Sequence, residues 1–452
     1  MFSIIFAIDS QCGYAKEGQI PWYNKEDITH FKNLTLNNVV IMGRDTLNSL
    51  PNKFLPNRIN IVVSSTLSSC STHLAFTSFN DALRHAFSYK DKKVFVIGGS
   101  RLIQEALRHE CFEKMFLTVL DKEYDCDKFL NIPLDRFEVL SETKISNGKI
   151  LELKGSFYNM FDTTYLELVK SVLENGVIKE DRTGTGTKSL FAKQMTFDIS
   201  QYIPILTSKF IPWKSCIKEL LWFLKGQTNS KILEEQGVRI WEGNSSRKFL
   251  DSRNLSHLTE GDIGAGYGFQ WRHFGATYLN CDSDYTDQGV DQISYIINEL
   301  IQNPNSRRIV LSSWNPYDLD KMALHPCHVL VQFYTEEIEG QYYLSAHLYQ
   351  RSMDLFLGSP WNILSYSILT HYIAKVCEMK PHTLTISTGD VHIYLNHFEQ
   401  LSQQLENLPY STTAKLKISD EVLRKTIEEL SVSDFDIVDY YHNGKISGKM
   451  SV

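Results

Sequence analysis

A chain of 452 residues, 42% hydrophobic and 22% charged, is too long for one ordinary hydrophobic core, so we expect two or three domains. The apolar start lacks the basic region of a secretory signal, and no stretch reaches the roughly 18 apolar residues of a membrane span, so we expect no membrane association. Residues up to Lys154 carry 19 basic and 18 acidic side chains, and the remainder carries 27 and 35. Neither part has the basic surface of a nucleic-acid-binding protein.

The eight cysteines are scattered along the chain without a CxxC pair. That spacing favours neither a zinc knuckle nor a disulfide framework. We therefore expect a protein of a reducing compartment, the cytoplasm, without a metal.

Residues 1–154 alternate short β-branched runs with helix-length segments. The runs are apolar on both faces, which predicts a largely parallel sheet with crossover helices, an α/β domain. Glycines between a strand and a helix, as at Gly98-Gly99, allow phosphate oxygens to approach backbone N–H groups, although tight turns also use such pairs. The predicted strands are "SIIFAID" (3–9), "NVVIMG" (38–43), "INIVVSS" (59–65), "KVFVIGG" (93–99) and "KMFLTVL" (114–120).

The pattern changes across a short junction, residues 155–162. Residues 163–452 contain long amphipathic helices with strands between them, which predicts an α+β domain about twice as long as the first. The helices are "TTYLELVKSVLENG", "KSCIKELLWFLKG", "GVDQISYIINELIQN" and "NILSYSILTHYIAKVCEM", and the strands include "HVLVQFY" and "YYLSAHLYQRS".

One carboxylate stands out in "IPWYNKEDITHFK" (20–32). Asp27 and Phe31 are four residues apart and share a face of the predicted helix, along with Ile28. A carboxylate beside apolar side chains suits a flat heterocycle that donates N–H groups. The alternative is an exposed acid in the first turn of a helix, where acids are favoured.

A cysteine lies between two histidines in "HPCHVLVQFY" (325–334). Cys327 could be a nucleophile, a metal ligand or a buried thiol. A nucleophile needs a nearby cation because the pKa of a free thiol is about 8.5. His325 and His328 lie too close to Cys327 in sequence for an ordinary zinc cage. Arginines in "DRTGTGT", "NSRRI" and "LYQRS" could reach the thiol only through the fold.

Four motifs of the first domain, "IPWYNKEDITHFK", "VIMGRDTLNSLP", "LPNRINIVVSS" and "VFVIGGSRL", resemble dihydrofolate reductase in order and spacing. The resemblance implies that Asp27 binds the pteridine and supports its protonation while NADPH delivers hydride. It places Ile5, Ala7 and Phe31 in the pterin pocket, Thr118 behind Asp27, and Arg58 on the folate carboxylate. The implied cofactor residues are Arg44, Thr46, Ser64, Ser65, Gly98 and Gly99.

The second domain resembles thymidylate synthase from about Tyr165 to Val452, through "DRTGTGT", "ELLWFLKG", "GYGFQWRHFGA", "NSRRIVLSSWNP", "MALHPCHVLVQFY", "LYQRSMDLFLG" and "GDVHIYLNHF". The resemblance implies that Cys327 adds to C6 of dUMP, with 5,10-methylenetetrahydrofolate as cosubstrate. It places Arg182, Arg351 and Ser352 on the phosphate, with Arg351 depressing the thiol pKa, Asn362 on the uracil, His392 and Tyr394 on the ribose, and Glu219 on the waters of proton transfer. Arg307 and Arg308 would reach the phosphate from the partner subunit of a homodimer. Further substrate and folate contacts are implied for Trp241, Asn244, Tyr267, His328, Gln350, Asp354, Leu357 and Gly358.

Without these motifs, Glu219 would be interpreted as an exposed helix acid and His392 as a structural histidine. Several positions depart from the two families. Tyr14 and Ile103 replace an aliphatic residue and a tyrosine near the cofactor, and Trp361 and Phe210 replace a phenylalanine and an arginine near the folate. These leave the kinetics and the antifolate response open.

The ending "GKISGKMSV" resembles that of the synthases, in which the terminal carboxylate helps close the active site. The alternative is a frayed, dispensable terminus. We expect removal of Val452 to impair synthase turnover.

The chain as a whole is therefore similar to a bifunctional dihydrofolate reductase–thymidylate synthase, in which the second domain supplies the dihydrofolate that the first reduces. Two alternatives stay open. One domain could be a catalytically silent scaffold, or the chain could be an RNA-binding regulator, which the acidic second domain disfavours.

Overall fold

The computed structural model describes residues 1–130, 132–155 and 157–451. Contacts between residues separate the chain into two units, Met1–Asn159 and Met160–Val452. Each unit has its own central sheet.

The first unit contains helices of 6 to 11 residues between its strands. Its strands are β1 (Phe2–Ile8), β2 (Gly13–Ala15), β3 (Val39–Gly43), β4 (Ile59–Val63), β5 (Leu74–Phe76), β6 (Val94–Val96), β7 (Phe112–Leu120), β8 (Lys128–Phe129), β9 (Glu138–Ile145) and β10 (Gly148–Lys154). Its helices are α1 (Lys25–Thr35), α2 (Arg44–Ser49), α3 (Phe79–Ala86) and α4 (Ser100–Leu107).

Within the described residues, eight of these strands form one sheet in the order β5-β4-β3-β6-β1-β7-β10-β9. The first six strands of that order run parallel, and β10 and β9 are antiparallel additions at the end. The mostly parallel sheet is therefore confirmed. The five predicted strands lie in its parallel part because strands buried on both faces have continuous apolar sequences.

Helix α1 is positioned by its N-terminal cap. The Asn24 side chain accepts the backbone N–H groups of Glu26 and Asp27, each at 3.0 Å, which satisfies donors that have no partner inside the helix. Because the helix begins at Lys25, Asp27 lies in its first turn.

The second unit begins with a helix of 16 residues. Its helices are α5 (Met160–Asn175), α6 (Trp213–Leu224), α7 (Lys231–Glu235), α8 (Glu242–Ser245), α9 (Arg247–Ser252), α10 (Tyr267–His273), α11 (Gln292–Gln302), α12 (Gly358–Val376) and α13 (Phe398–Glu406). Its strands are β11 (Val177–Lys179), β12 (Thr187–Asp198), β13 (Val310–Ser312), β14 (His328–Ile338), β15 (Gln341–Asp354), β16 (Lys380–Tyr394), β17 (Lys415–Ile418) and β18 (Phe435–Val438). The α+β class is confirmed, and the four predicted helices correspond to α5, α6, α11 and α12.

The main sheet of this unit has the order β11-β12-β16-β15-β14-β13 within the described residues. Strands β15 and β16 pair in parallel, and the other neighbouring strands pair antiparallel. Helix α12 makes the crossover between β15 and β16, as a parallel pair requires. It is buried on nearly every face because its sequence is apolar or small all round.

None of the helices in the described part of the chain is both long and apolar enough to cross a membrane. All eight cysteines are free.

Candidate active sites

Asp27 is half-buried beside strand β7 and not an exposed helix acid. Thr118 in β7 donates its hydroxyl to Asp27 Oδ1 at 2.5 Å. Burial raises the pKa of the Asp27 carboxyl above its ordinary value, and the Thr118 hydrogen bond and the His30 charge offset this only in part. The prediction that Ile28 shares this helix face is wrong. Consecutive residues of a helix point about 100° apart, and Ile28 is 48% exposed.

The surroundings of Asp27 are apolar. Phe31, one turn further along α1, packs against a buried cluster that includes Ile5 of β1. Ala7 is the direct neighbour of Thr118 in the parallel β1–β7 ladder. The structure therefore brings Ile5, Ala7, Phe31 and Thr118 together around one carboxylate.

Arg58 lies at the other end of α1. Its Nε and Nη2 both donate to Thr35 Oγ1 at 3.1 Å, and Nη1 donates to the Pro56 carbonyl at 2.8 Å. Thr35 is the last residue of α1 and Asp27 lies in its first turn, so the two are eight residues or about 12 Å apart along the helix axis. A carboxylate and a guanidinium thus mark the two ends of one helix.

The turn at Gly98-Gly99 follows β6 and lies beside the end of the neighbouring strand β3. Gly43 N–H donates to the Gly98 carbonyl at 2.8 Å, and Gly98 has φ +136°. A Cβ on Gly98 would lie 3.0 Å from Thr46 Oγ1, so a larger residue would fill this space. Gly99 directly precedes Ser100, the first residue of α4.

Arg44 is exposed beside this turn. Its Nη1 donates to Thr66 Oγ1 at 3.3 Å, and Thr66 Oγ1 lies 3.3 Å from Ser64 Oγ. Ser65 is exposed between them. Sequence reasoning missed Thr66, although its position directly after Ser64-Ser65 was a signal.

Two departures from the family pattern lie near this turn. Tyr14 in β2 donates its hydroxyl to Ser100 Oγ at 2.9 Å. Ile103 is fully buried in α4, where it packs in the core. The Tyr14 side chain therefore reaches from β2 to the start of α4.

In the second unit, Cys327 directly precedes β14. Its backbone N–H donates to the Tyr267 hydroxyl at 2.7 Å, and Arg351 Nη2 lies 4.0 Å from its Sγ. The same guanidinium is held in place by the carbonyls of His325 and Pro326, both at 2.9 Å. The fold creates this convergence because β15, which carries Arg351, pairs with β14.

Burial and nearby charges act in opposite directions on the pKa of the Cys327 thiol. Burial raises the pKa of the thiol, and the positive charges of Arg351 and Arg182 oppose this only in part. As expected, the Arg351 charge lowers the thiol pKa, and burial raises the pKa by more than the two arginines lower it. The nearby Asp354 carboxylate also favours the neutral thiol.

The two histidines that flank Cys327 contact different side chains. His325 Nε2 lies 2.9 Å from Arg253 Nη2. Burial lowers the pKa of His328 to about 4, so its ring is neutral, and it packs 5.0 Å from the ring of Tyr267. Among the described residues, no three His, Cys, Asp or Glu side chains lie close enough together to hold a metal ion.

Several predicted residues lie where β15 leads into α12. Gln350 is fully buried and its Nε2 donates to Asn362 Oδ1 at 2.8 Å. The Asp354 carboxylate accepts the backbone N–H groups of Phe356, Leu357 and Gly358 at the start of α12.

The parallel β15–β16 pairing brings predicted site residues of β16 beside those of β15. Ser352 pairs with Asp390, and Asp354 with His392. His392 Nδ1 lies 3.0 Å from Asp390 Oδ1, and its ring is 5.1 Å from that of Tyr394. His392 thus has a local partner on one ring nitrogen.

Glu219 in α6 is buried, so the interpretation of an exposed helix acid is wrong. Its Oε1 accepts the indole N–H of Trp241 at 2.7 Å, and its Oε2 accepts that of Trp361 at 2.6 Å. Burial raises the pKa of Glu219 to about 7, although both hydrogen bonds lower it. Asn244 is buried in α8, three residues after Trp241. The Trp361 contact was missed, since it joins residues 142 positions apart.

The remaining arginines differ in position. Arg182 is exposed before β12, but its charge still acts on the Cys327 thiol. Arg307 and Arg308 are exposed before β13. Within residues 1–130, 132–155 and 157–451, no hydrogen bond or ion pair links either guanidinium to Cys327, Arg351 or Tyr267.

The C-terminal segment, residues 440–451, is docked on the second unit. His397 Nε2 lies 2.9 Å from the Lys449 carbonyl, and Thr185 donates its hydroxyl to Ser451 Oγ at 3.2 Å. A Cβ on Gly448 would lie 2.4 Å from the Phe356 ring. Val452 is outside the described residues.

Two neighbouring residues, Phe210 and Lys209, lie near the C-terminal segment or its contacts. The Phe210 ring is 4.8 Å from that of His442 in the C-terminal segment, so this phenylalanine contacts the segment where an arginine is common. Lys209 is buried, its ammonium donates to the Phe356 carbonyl, and burial lowers its pKa to about 7.

Comparison with known proteins matches each of the two units to a family. A dihydrofolate reductase family model matches residues 1–160, and a thymidylate synthase family model matches residues 163–452. A bifunctional dihydrofolate reductase-thymidylate synthase of Paramecium tetraurelia is 41% identical over 465 residues, covering 100% of this chain and 99% of the relative. A relative of the same name from Leishmania major is 37% identical, covering 100% and 95%, and bifunctional dihydrofolate reductase-thymidylate synthase 2 of Arabidopsis thaliana is 38% identical, covering 100% and 88%.

The two units and their sites therefore define a chain with two enzymatic centres. This chain belongs to the bifunctional dihydrofolate reductase–thymidylate synthase family. It is an enzyme of thymidylate synthesis and of dihydrofolate reduction, and NADPH and methylenetetrahydrofolate are the ligands of these families in general.

Proposed function

We propose that Cys327 is the nucleophile that adds to C6 of dUMP and that Asp27 is the carboxylate that binds dihydrofolate. The observation that carries the first assignment is the convergence of the Arg351 guanidinium and the Tyr267 hydroxyl on Cys327. A thiol whose pKa is raised by burial needs such a cation to reach the thiolate form, which is the reactive one.

The nucleotide would be held by the side chains around the thiol. Arg182 and Arg351, with Ser352, supply charge and hydrogen bonds for a phosphate. Asn362, held by its hydrogen bond to Gln350, would bind the uracil edge. Because Asp390 contacts His392 Nδ1, His392 would use Nε2, together with Tyr394, to bind the ribose. We also assign substrate contacts to His328 and Gly358.

The folate of the synthase site would lie against Trp241, Asn244, Tyr267, Asp354 and Leu357. Addition of Cys327 makes C5 of the uracil carbanion-like, so that it attacks the methylene carried by tetrahydrofolate. Glu219 would organise the waters that exchange protons with the base. A carboxyl with a pKa of about 7 suits that task, because it can both accept and release a proton near neutral pH.

The phosphate site would be completed in a homodimer. Arg307 and Arg308 are exposed and remain free to reach the partner's nucleotide. We therefore propose dimerisation through the second unit. A mixture of Cys327→Ser and Arg307→Ala chains tests this, since a mixed dimer has one site with both residues intact and should recover activity.

In the reductase unit, Asp27 would accept the N–H groups of the pteridine and support its protonation. Its raised pKa lets it carry a proton at a higher pH than an exposed aspartate. Ile5, Ala7, Phe31 and Thr118 surround this carboxylate. The separation of about 12 Å along α1 suits Arg58 as the partner of the distant folate carboxylate.

The glycine turn fits the phosphates of NADPH. The space over Gly98 that a Cβ would fill, together with Gly99 at the start of α4, allows phosphate oxygens to approach the backbone. Thr46 borders that space, and Arg44, Ser64 and Ser65 supply charge and hydrogen bonds for a 2′-phosphate. NADPH supplies the hydride when it is bound.

We propose residues 1–154 and 163–452 as the two catalytic domains, with residues 155–162 as the junction, and a cytoplasmic location, which eight free cysteines support. An RNA-binding role has no comparable support, since the residues after Lys154 carry 27 basic and 35 acidic side chains.

An order-of-addition assay tests the whole proposal. With dUMP and methylenetetrahydrofolate, dihydrofolate should accumulate, and subsequent NADPH should consume it. Cys327→Ser should abolish the first reaction and spare the second, because a hydroxyl is a far weaker nucleophile at neutral pH. Asp27→Asn should do the reverse. Loss of both activities in either folded variant would contradict the two-site assignment.

A further inference from the structure

The Glu219 carboxylate is held by two indole groups from different parts of the chain. Trp241 lies between α7 and α8, and Trp361 lies in the first turn of α12. Each donates its only N–H to a different oxygen, at 2.7 and 2.6 Å. A hydrogen bond to an ionised carboxylate is shorter and stronger than one between neutral groups.

The titratable groups that act on Glu219 are neutral at neutral pH. Cys216 is on the same helix, and Tyr366 faces Glu219 from α12. Burial raises the pKa of both groups, so neither is ionised at neutral pH. His328 contacts Tyr366 at a ring distance of 5.3 Å and is itself neutral. The two N–H donors are therefore the groups that compensate a negative charge on Glu219.

We propose that Trp361 is a positioning residue of the synthase site, whose indole fixes the second oxygen of Glu219 and stabilises the ionised form of that carboxylate. A phenylalanine, the usual family residue at this position, has no donor and would leave Oε2 without this bond. Trp361 also directly precedes Asn362, so the same turn of α12 positions the carboxylate and the amide. The inference deepens the proposed function, because it rests on Glu219 as the proton-transfer group of the synthase site.

The first test reads Glu219 directly, without turnover. The carboxyl C=O stretching band of Glu219 is isolated as the infrared difference between the wild-type protein and Glu219→Gln, titrated with pH. We expect a midpoint near 7 in the wild-type protein. In Trp361→Phe the midpoint should rise by about one pH unit, since a charged hydrogen bond is lost.

Trp271→Phe is the matched control. This residue also donates its indole N–H within a buried setting, to Ser313 Oγ at 2.8 Å, but not to Glu219. Its loss should leave the Glu219 midpoint unchanged. An unchanged midpoint in Trp361→Phe, or an equal shift in both variants, would overturn the inference.

A second measurement uses the wild-type chain and does not depend on the folding of Trp361→Phe. The protein has seven tryptophans. In ¹⁵N NMR spectra, two indole N–H resonances should titrate with one common midpoint, and both should lose this dependence in Glu219→Gln. A single titrating indole would overturn the inference.

The synthase pH profile separates this inference from the proposed function. If Glu219 acts in turnover, the acid limb of kcat should move to higher pH in Trp361→Phe by the same amount as the infrared midpoint. A shifted midpoint in a protein with no synthase turnover would support the role of Trp361 and refute the proposed function instead. Reductase activity of the same preparations reports on the folding of the first unit only.

Discussion

Replacing Gly448 with alanine tests whether the docked C-terminal segment is needed for synthase turnover. The added methyl group would lie 2.4 Å from a Phe356 ring carbon and 3.0 Å from His397 Nε2. Neither ring can easily retreat, because both are fully buried and their centroids are 4.7 Å apart. The segment therefore has to lift away from the unit.

The cost of lifting follows from the contacts that are lost. The His397–Lys449 and Thr185–Ser451 hydrogen bonds hold the last three residues of the segment, 449–451, and each contributes about 1 kcal/mol. Their joint loss of about 2 kcal/mol lowers the ratio of docked to undocked segment roughly 30-fold. If only the docked form completes the site, and the docked and undocked forms are about equally populated during turnover of the wild-type enzyme, synthase kcat should fall by roughly 10- to 30-fold.

The assay compares synthase kcat, dUMP affinity and reductase kcat on one preparation. Only the first should change in Gly448→Ala. Ser451→Ala removes one hydrogen bond, so we expect a fall of about fivefold. Ser447→Ala, an exposed position of the same segment, is the matched control and should have no effect. A synthase kcat within about twofold of the wild-type value in Gly448→Ala would refute the role of the docked segment. Deletion of Val452 is the corresponding test at the terminus.

Two further predictions concern single charged groups. Arg44→Ala should lower the preference for NADPH over NADH, measured as the ratio of kcat/KM values, by about 10- to 100-fold, because a charged contact to the 2′-phosphate is lost; an unchanged ratio would refute this assignment. Lys209 is buried with a folded-state pKa of about 7, well below its ordinary value of 10.5, so the folded chain binds fewer protons than the unfolded chain between these two values. Unfolding free energy should therefore rise with pH across that window, by at most about 1.4 kcal/mol per pH unit, and Lys209→Met should abolish this slope in denaturant titrations of the second unit; a slope that persists would show that another group is responsible.

The strands of the first unit could be predicted because their signal is local. Runs such as 59–65 and 114–120 are apolar on both faces, and this is what a central parallel strand requires. The antiparallel edge strand β9 lacks that signal, since it is exposed along nearly its whole length. The exact start of α1, which the Asn24 cap sets, was not predicted either.

The charge states of the site residues could not be predicted in the same way. Burial of Cys327 and Glu219 depends on helices and strands from distant parts of the chain. The sequence placed arginines near the thiol through family resemblance, but it contained no measure of how far burial would oppose them. The bond from Trp361 to Glu219 depends on the packing of α12 against α6, which no local pattern encodes.

The pairing of β12 with β16 has a consequence for synthesis of the chain on the ribosome. Thr187 pairs with Tyr394, so the main sheet of the second unit cannot close until residue 394 has been translated. All sheet partners of the first unit lie before residue 155. The 240 residues between Lys154 and Tyr394 take roughly 10 to 50 s to add at about 5–20 residues per second. The first unit thus has time to fold before strand β12 can pair with β16, and nascent-chain proteolysis should find the first unit protected first.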